Sequence, residues 1–129
     1  MSEAKLVVIY PRPKDIESFE KVYLTEHVPM SVEKLDGKTK IVATKITGSP
    51  QGVPAFYRIV EVYFPSKSAL EACAATMGAQ ETLAHAAKIS TGGTPLILIA
   101  EGRRSRSARL LALKSANPTR SLRLPSDFR

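Results

Sequence analysis

Strand-like and helix-like stretches alternate twice along the first hundred residues, and that order constrains the fold more than any other feature of the chain. Lys5 to Tyr10 (KLVVIY) is a β-branched apolar run closed by Pro11-Arg12-Pro13, which reads as a strand. Asp15 stands as an N-cap before a helix from Ile16. Pro29 is expected to end or kink that helix, leaving a short second turn through Val32 and Leu35 before Asp36-Gly37. Thr39 to Gly48 and Phe56 to Phe64 are two further strands, and the turn-rich Ser-Pro-Gln-Gly-Val-Pro between them predicts a hairpin. Ser66 caps a helix from Lys67 to about Met77, Gly78 is expected to break it, and Gln80 to Lys88 is helical again. Thr91-Gly92-Gly93 then leads into a last strand, Thr94 to Ala100.

The resulting order, βαββαβ, predicts an α+β, ferredoxin-like arrangement: a four-stranded antiparallel sheet with both helices on one face. A lone copy would leave the other sheet face wet and polar. Here the strands are apolar on both faces. Leu6, Val8 and Tyr10 alternate with Val7 and Ile9, and Leu96 to Ile99 are apolar throughout. In the third strand Phe56, Val60, Val62 and Phe64 are expected on one face, with Tyr57, Ile59 and Tyr63 on the other. An identical sheet in a two-fold homodimer is the economical cover.

A chain of 129 residues is one domain by length, able to bury roughly two thirds of its unfolded surface. The net charge of +7 looks like a nucleic-acid footprint until it is located. Residues 1–102 hold eleven Lys or Arg against eleven Asp or Glu, whereas residues 103–129 hold eight against Asp127 alone. The division predicted is therefore a neutral folded domain, 1–102, and a basic, disordered tail, 103–129, through which any nucleic-acid binding would be salt-sensitive and unspecific. A nucleic-acid role is accordingly not the favoured function. Cys73 is the single cysteine, so no disulfide framework argues for secretion, and it reads as a small buried residue. No apolar run approaches the ~20 residues of a membrane span and the N-terminus lacks signal-peptide order, which points to a cytoplasmic protein without a membrane role.

Chemistry concentrates on the first helix. Phe19, Tyr23 and His27 stand four residues apart, so a phenol and a titratable imidazole share an apolar stripe with Ile16 and Met30. Imidazole exchanges protons near neutrality. Tyr10, Tyr57 and Arg58 come from strands that face the same cleft, and Arg58 is expected to pair with Glu26, Glu61 or an anionic substrate group. His85, among alanines, reads as an ordinary helix residue with no role. Two His and one Cys, widely spaced, match no metal site, and no GxGxxG or GxxxxGK[ST] loop is present, so no metal or cofactor is expected.

Tyr10-Pro11, the Phe19…Tyr23…His27-Val28-Pro29 helix, Gly48-Ser49-Pro50, the strand Phe56 to Phe64 and Ser90-Thr91-Gly92-Gly93 together resemble the EthD family of ethyl tert-butyl ether degradation-type proteins. The resemblance covers about residues 5–101. It implies a dimeric α+β barrel, a fold that also hosts cofactor-independent monooxygenases, isomerases and decarboxylases, and a family commonly labelled as reductases. Within that fold, the chemistry of the stripe and its neighbouring strands makes His27 and Tyr23 the expected catalytic residues and Tyr10, Phe19, Tyr57 and Arg58 the expected substrate-binding residues.

Three functions stay open at this point, with nucleic-acid association through the basic tail ranked last behind two close alternatives. One is a cofactor-independent catabolic enzyme acting on a small hydrophobic, aromatic or ether-derived compound, with His27 as acid or base. The other is a non-catalytic protein that holds such a compound for a partner oxygenase system.

Overall fold

In the computed structural model, which describes residues 2–103, β1 (Ser2–Pro11) and β3 (Phe56–Phe64) are the inner strands of a four-stranded sheet. The order is β2-β3-β1-β4, with β2 (Lys40–Lys45) and β4 (Leu96–Arg103) at the edges. β1 and β3 pair antiparallel from Ala4↔Phe64 to Tyr10↔Arg58, and β2 joins β3 from Lys40↔Tyr63 to Lys45↔Arg58, as the turn-rich connection predicted. The architecture is the α+β, ferredoxin-like one expected from the element order. Residues Glu3–Glu101 form one compact unit. The tail expected at 103–129 lies outside the described residues, apart from Arg103, which ends β4.

The core fills one face of the sheet. Leu6, Val8 and Tyr10 of β1 and Val60, Val62 and Phe64 of β3 are buried with Phe19, Leu35, Leu70, Ala86 and Ile89 from the helices. On the other face Val7, Ile9 and Ile59 are half-buried. Along the edge strand β4 the apolar residues Leu96 to Ile99, which alternate between the two faces, are each between 43 % and 56 % exposed, an apolar edge that a soluble monomer seldom carries.

The first helical arm departs from expectation at Pro29. Asp15 caps α1 (Ile16–Val22) by accepting from the Ser18 N–H at 3.1 Å, but the helix does not stop at the proline. A π-helical turn, Tyr23–His27, intervenes, and α2 (Val28–Lys34) carries Pro29 in its first turn. The reason is local: proline donates no hydrogen bond and its ring crowds the carbonyl four residues earlier. Widening the turn ahead of it, with the Val28 N–H bonded to the Tyr23 carbonyl, rephases the helix where a donor is missing.

Gly78 is the second departure. It does not break a helix but lies inside the first turn of α4 (Met77–Ile89). The break after α3 (Lys67–Ala74) falls at Thr76, which donates to the Cys73 carbonyl at 2.7 Å and accepts from the Ala79 N–H. Glycine is needed at 78 for closeness: a Cβ there would stand 3.0 Å from the Lys34 carbonyl oxygen, where α4 crosses α2.

A third departure is in β3. Partners shift from Tyr10↔Arg58 to Pro11↔Phe56, so Tyr57 is an extra residue, a β-bulge. Simple alternation put Tyr57 on the face opposite Phe56. The bulge turns Tyr57 into the helix-facing side, next to Arg58, which reaches that side by regular alternation with Val60, Val62 and Phe64; both are buried, and Phe56 is left exposed.

Candidate functional site

Four aromatic rings form a row between the two helical arms. Phe19 and Tyr23 lie 5.6 Å apart between ring centres at an interplanar angle of 17°, Tyr23 and His27 5.8 Å apart at 29°, and His27 and His85 5.1 Å apart at 10°. On a regular α-helix each four-residue step would rotate the row by about 40°. The π turn holds back that drift between Tyr23 and His27, so the stripe anticipated from spacing exists, buried at Phe19, Tyr23 and His27 and half-buried at its ends, Ile16 and Met30. Tyr10 closes it from β1, edge-on to Phe19, Tyr23 and His27.

The last ring of the row was not anticipated. Nδ1 of His27 lies 2.9 Å from Nδ1 of His85, which comes from α4. The centre-to-centre distance is close to that contact plus two ring radii, so the imidazoles meet edge to edge and nearly coplanar, in hydrogen-bond geometry. Glu26 Oε1 lies 3.4 Å from the other nitrogen of His85, Nε2. Treating His85 as a residue without a role missed this contact. A signal existed: His85 is three residues after Thr82 and four before Ile89, both buried, so it sits on the inward row of α4.

Arg58 has a different partner from those expected. It pairs with Glu20, Nη2 lying 2.8 and 2.6 Å from the two carboxylate oxygens, while Glu61 pairs with Lys5 at 2.7 Å and Glu26 faces His85. Strand alternation explains the choice: Glu61 is on the opposite face with Lys5, whereas Arg58 shares the helix-facing side with Val60 and Val62 and meets Glu20 of α1. Tyr57 donates its hydroxyl to the same carboxylate, and the guanidinium lies 4.5 Å from the centre of the Tyr23 ring. The ion pair thus braces the middle of the aromatic row from the sheet side.

Burial sets the protonation of these groups. His27 is 6 % exposed, and loss of solvent, reinforced by the charge of His85, pulls its pKa down to about 4. It is therefore neutral at pH 7. The second cause acts only when His85 is itself protonated. Burial also raises the phenols of Tyr10, Tyr23 and Tyr57, keeping them protonated donors. Burial alone would raise the Glu20 carboxyl, but the hydrogen bonds from Tyr57 and Arg58 outweigh it and hold the group below its usual range. Cys73 is buried as expected, and burial pushes its thiol up, away from nucleophilic use.

Among the described residues, three cavities adjoin the row. A cleft of about 240 Å³ between α2 and the sheet is walled by Tyr23, Val28, Val32, Ile41, Ala43 and Val60. A void of about 20 Å³, large enough for one water, is lined by Tyr10, His27, Ser31 and Thr82 and shares Ser31 and Val60 with the cleft. The Tyr10 hydroxyl, fully buried, has no hydrogen-bond partner among the described residues. A larger groove of about 540 Å³ opens between α1 and α4, with Phe19, Val22 and Ile89 as its floor and Glu26, His85 and Lys88 on its walls. Among the residues anticipated for the site, His27, Tyr23, Tyr10 and Phe19 therefore border cavities. Tyr57 and Arg58 are tied to Glu20 and line none of these three.

No family model matches the chain. An EthD family protein from Bacillus halodurans superposes with a TM-score of 0.72 at 27 % identity, covering 78 % of this chain and 99 % of that one. The chain is EthD-like. An EthD-like protein from Ralstonia eutropha JMP134 matches at 26 % identity with a TM-score of 0.61, over 84 % of this chain and 99 % of its own. An uncharacterized 11.0 kDa protein from the thcB-thcC intergenic region of Rhodococcus erythropolis is 25 % identical over 97 residues, 75 % of this EthD-like chain and 93 % of the relative. A dimeric ferredoxin-like protein of unknown function from Jannaschia, 16 % identical with a TM-score of 0.55 over 78 % of this chain and 98 % of its own, shares the fold.

Proposed function

We propose that this EthD-like protein is a cofactor-independent catabolic enzyme for a small hydrophobic compound of about one ring, held in the cleft between α2 and the sheet, with His27 as general acid or base. The observation that carries this is the state of His27: an imidazole kept neutral by burial, one nitrogen committed to His85 at 2.9 Å, bordering a void that shares walls with an apolar cleft. A neutral imidazole with one nitrogen unengaged accepts a proton from a carbonyl-activated C–H or a phenol, and returns it in a later step. The Tyr23 phenol, which lines the same cleft, orients a substrate oxygen as a donor. Tyr10 and Phe19 lie outside the cleft lining and pack edge-on to each other around Tyr23, while Arg58 and Tyr57 act through Tyr23 and Glu20.

The protein works as a cytoplasmic homodimer in this reading. The half-covered sheet face and the exposed Leu96 to Ile99 support a second copy as the cover, as does the dimeric description of the Jannaschia relative. Among the described residues no helix is long and apolar enough to cross a membrane.

One observation favours a second reading. A pKa of about 4 makes His27 a weak base, which suits a protein that binds the compound for a partner oxygenase system without transforming it. Turnover of a panel of cyclic ketones and alkylphenols by the purified full chain, compared with His27→Gln, separates the two. Activity lost in a folded His27→Gln variant supports the enzyme; full turnover in that variant sinks it, and saturable binding without turnover carries the second reading.

A further inference from the structure

His27 is nearly sealed from solvent, so a proton it takes from a bound compound needs a path out. One neighbour has the chemistry to provide it. His85 lies against His27 on one side and lines the open groove between α1 and α4 on the other, together with Glu26. We propose that Glu26, His85 and His27 form a proton relay in which His85 is a positioning residue: it fixes the tautomer of His27 and connects that imidazole to the groove. Its use in a reaction rests on the acid–base reading of His27 above.

The tautomers follow from counting hydrogens. Two Nδ1 atoms 2.9 Å apart admit one hydrogen between them, so one ring donates and the other accepts. Glu26 decides which. A carboxylate oxygen 3.4 Å from His85 Nε2 favours a hydrogen on that nitrogen, which leaves His85 Nδ1 as the acceptor. His27 must then carry its hydrogen on Nδ1, and its Nε2 keeps a free lone pair. Such fixing of an imidazole by a carboxylate behind it is how a buried histidine is held as a base. The other polar groups around the pair do not compete for this role. Tyr10 and Tyr23 face His27 as protonated phenols, Arg58 is engaged by Glu20, and Lys88 and Lys14 share the groove as cations that cannot accept a hydrogen.

A transfer through the relay balances. A bound C–H or O–H acid gives its proton to His27 Nε2, the Nδ1 proton of His27 crosses to His85 Nδ1, and the Nε2 proton of His85 passes to Glu26 or to groove water. One proton leaves the compound, one appears in the groove, and both rings exchange tautomers. Reversal reloads them.

The chain has two histidines, so a full-length protein labelled with ¹⁵N in histidine gives a spectrum that one variant assigns. At pH 7, long-range ¹H–¹⁵N correlation should show His27 protonated on Nδ1 and His85 on Nε2. In Glu26→Ala the Nδ1–H to Nε2–H ratio of His27 should fall several-fold. His85→Phe should turn His27 to the Nε2–H form, and His85→Gln, whose amide oxygen can accept, should restore Nδ1–H; a purely space-filling His85 would not separate these two variants. An Nε2–H form of His27 in the wild type, or a ratio unmoved in Glu26→Ala, overturns the relay. Because these spectra need no ligand, the relay can fail while His27-dependent turnover stands, and the reverse.

Discussion

Lowering the pH should destabilise this protein through His27 before any carboxylate is involved, by an amount the structure sets. The unfolded imidazole takes a proton near its ordinary value of 6.5, whereas burial holds the folded one neutral to about 4. The unfolded state therefore binds the proton first, so stability is undiminished above pH 6.5, falls as pH drops toward 4 and levels off below that. Each pH unit between the two values is worth about 1.4 kcal/mol. Across the interval the loss is about 2–3 kcal/mol, allowing for the partial access that the groove gives the histidine pair. Glu20 acts in a lower window: its folded carboxyl is held below the usual range, so the stability it adds is present above about pH 4.5 and disappears only as acid protonates it. Urea unfolding at fixed protein concentration and ionic strength, from pH 7.5 to 4, with wild type and His27→Gln side by side, isolates the effect. The wild type should lose about 1.5–2 kcal/mol more than the variant between pH 6.5 and 4.5, and the two curves should run parallel above pH 7. Identical slopes through the window would refute the claim that His27 is held neutral by burial.

Other perturbations have equally definite outcomes. Glu20→Ala strands the buried Arg58 and should cost about 3 kcal/mol by chemical denaturation, most of it recovered in Glu20→Ala/Arg58→Met, which removes the charge as well. Gly92→Ala would bring a Cβ to 1.9 Å from the Arg12 carbonyl oxygen, so the loop after α4 must move; a loss of about 1–3 kcal/mol or more, read as a lower Tm, is expected. Ile97→Lys/Ile99→Lys places two charges in the exposed stretch of β4; if the proposed homodimer forms through it, sedimentation velocity should show dimer for the wild type and monomer for the variant, with helical circular dichroism unchanged, and a variant that stays dimeric refutes that interface.

The fold was legible because it rests on periodicity, which a single sequence carries in full. Alternating strands, two N-caps and a turn-rich hairpin connection were sufficient for βαββαβ, and four-residue spacing was sufficient for the Phe19–Tyr23–His27 row. The misreadings share a cause: each depends on a register or a close approach between segments distant in sequence. Pro29 was expected to end or kink the helix; the form the irregularity takes, a π turn ahead of the proline, is not a local preference of Tyr23–His27. Gly78 was read as a breaker because its contact with Lys34 comes from another helix. Arg58 was matched to Glu26 or Glu61, yet alternation already sets Glu61 on the other face, and the choice of Glu20 over Glu26 depends on a contact spanning 38 positions. His85 could have been placed on the inward row of α4, but its contact with His27 crosses 58 positions and has no signature in either helix alone.

The central claim, proton exchange at His27 on a bound hydrophobic compound, is tested most directly by deuterium. The full chain and His27→Gln are incubated with cyclic ketones in D₂O, and incorporation at the carbon next to the carbonyl is followed by NMR. The account predicts protein-dependent incorporation by the wild type for at least one ketone, lost in the variant while binding of that ketone persists. Incorporation at the same rate in His27→Gln would contradict it.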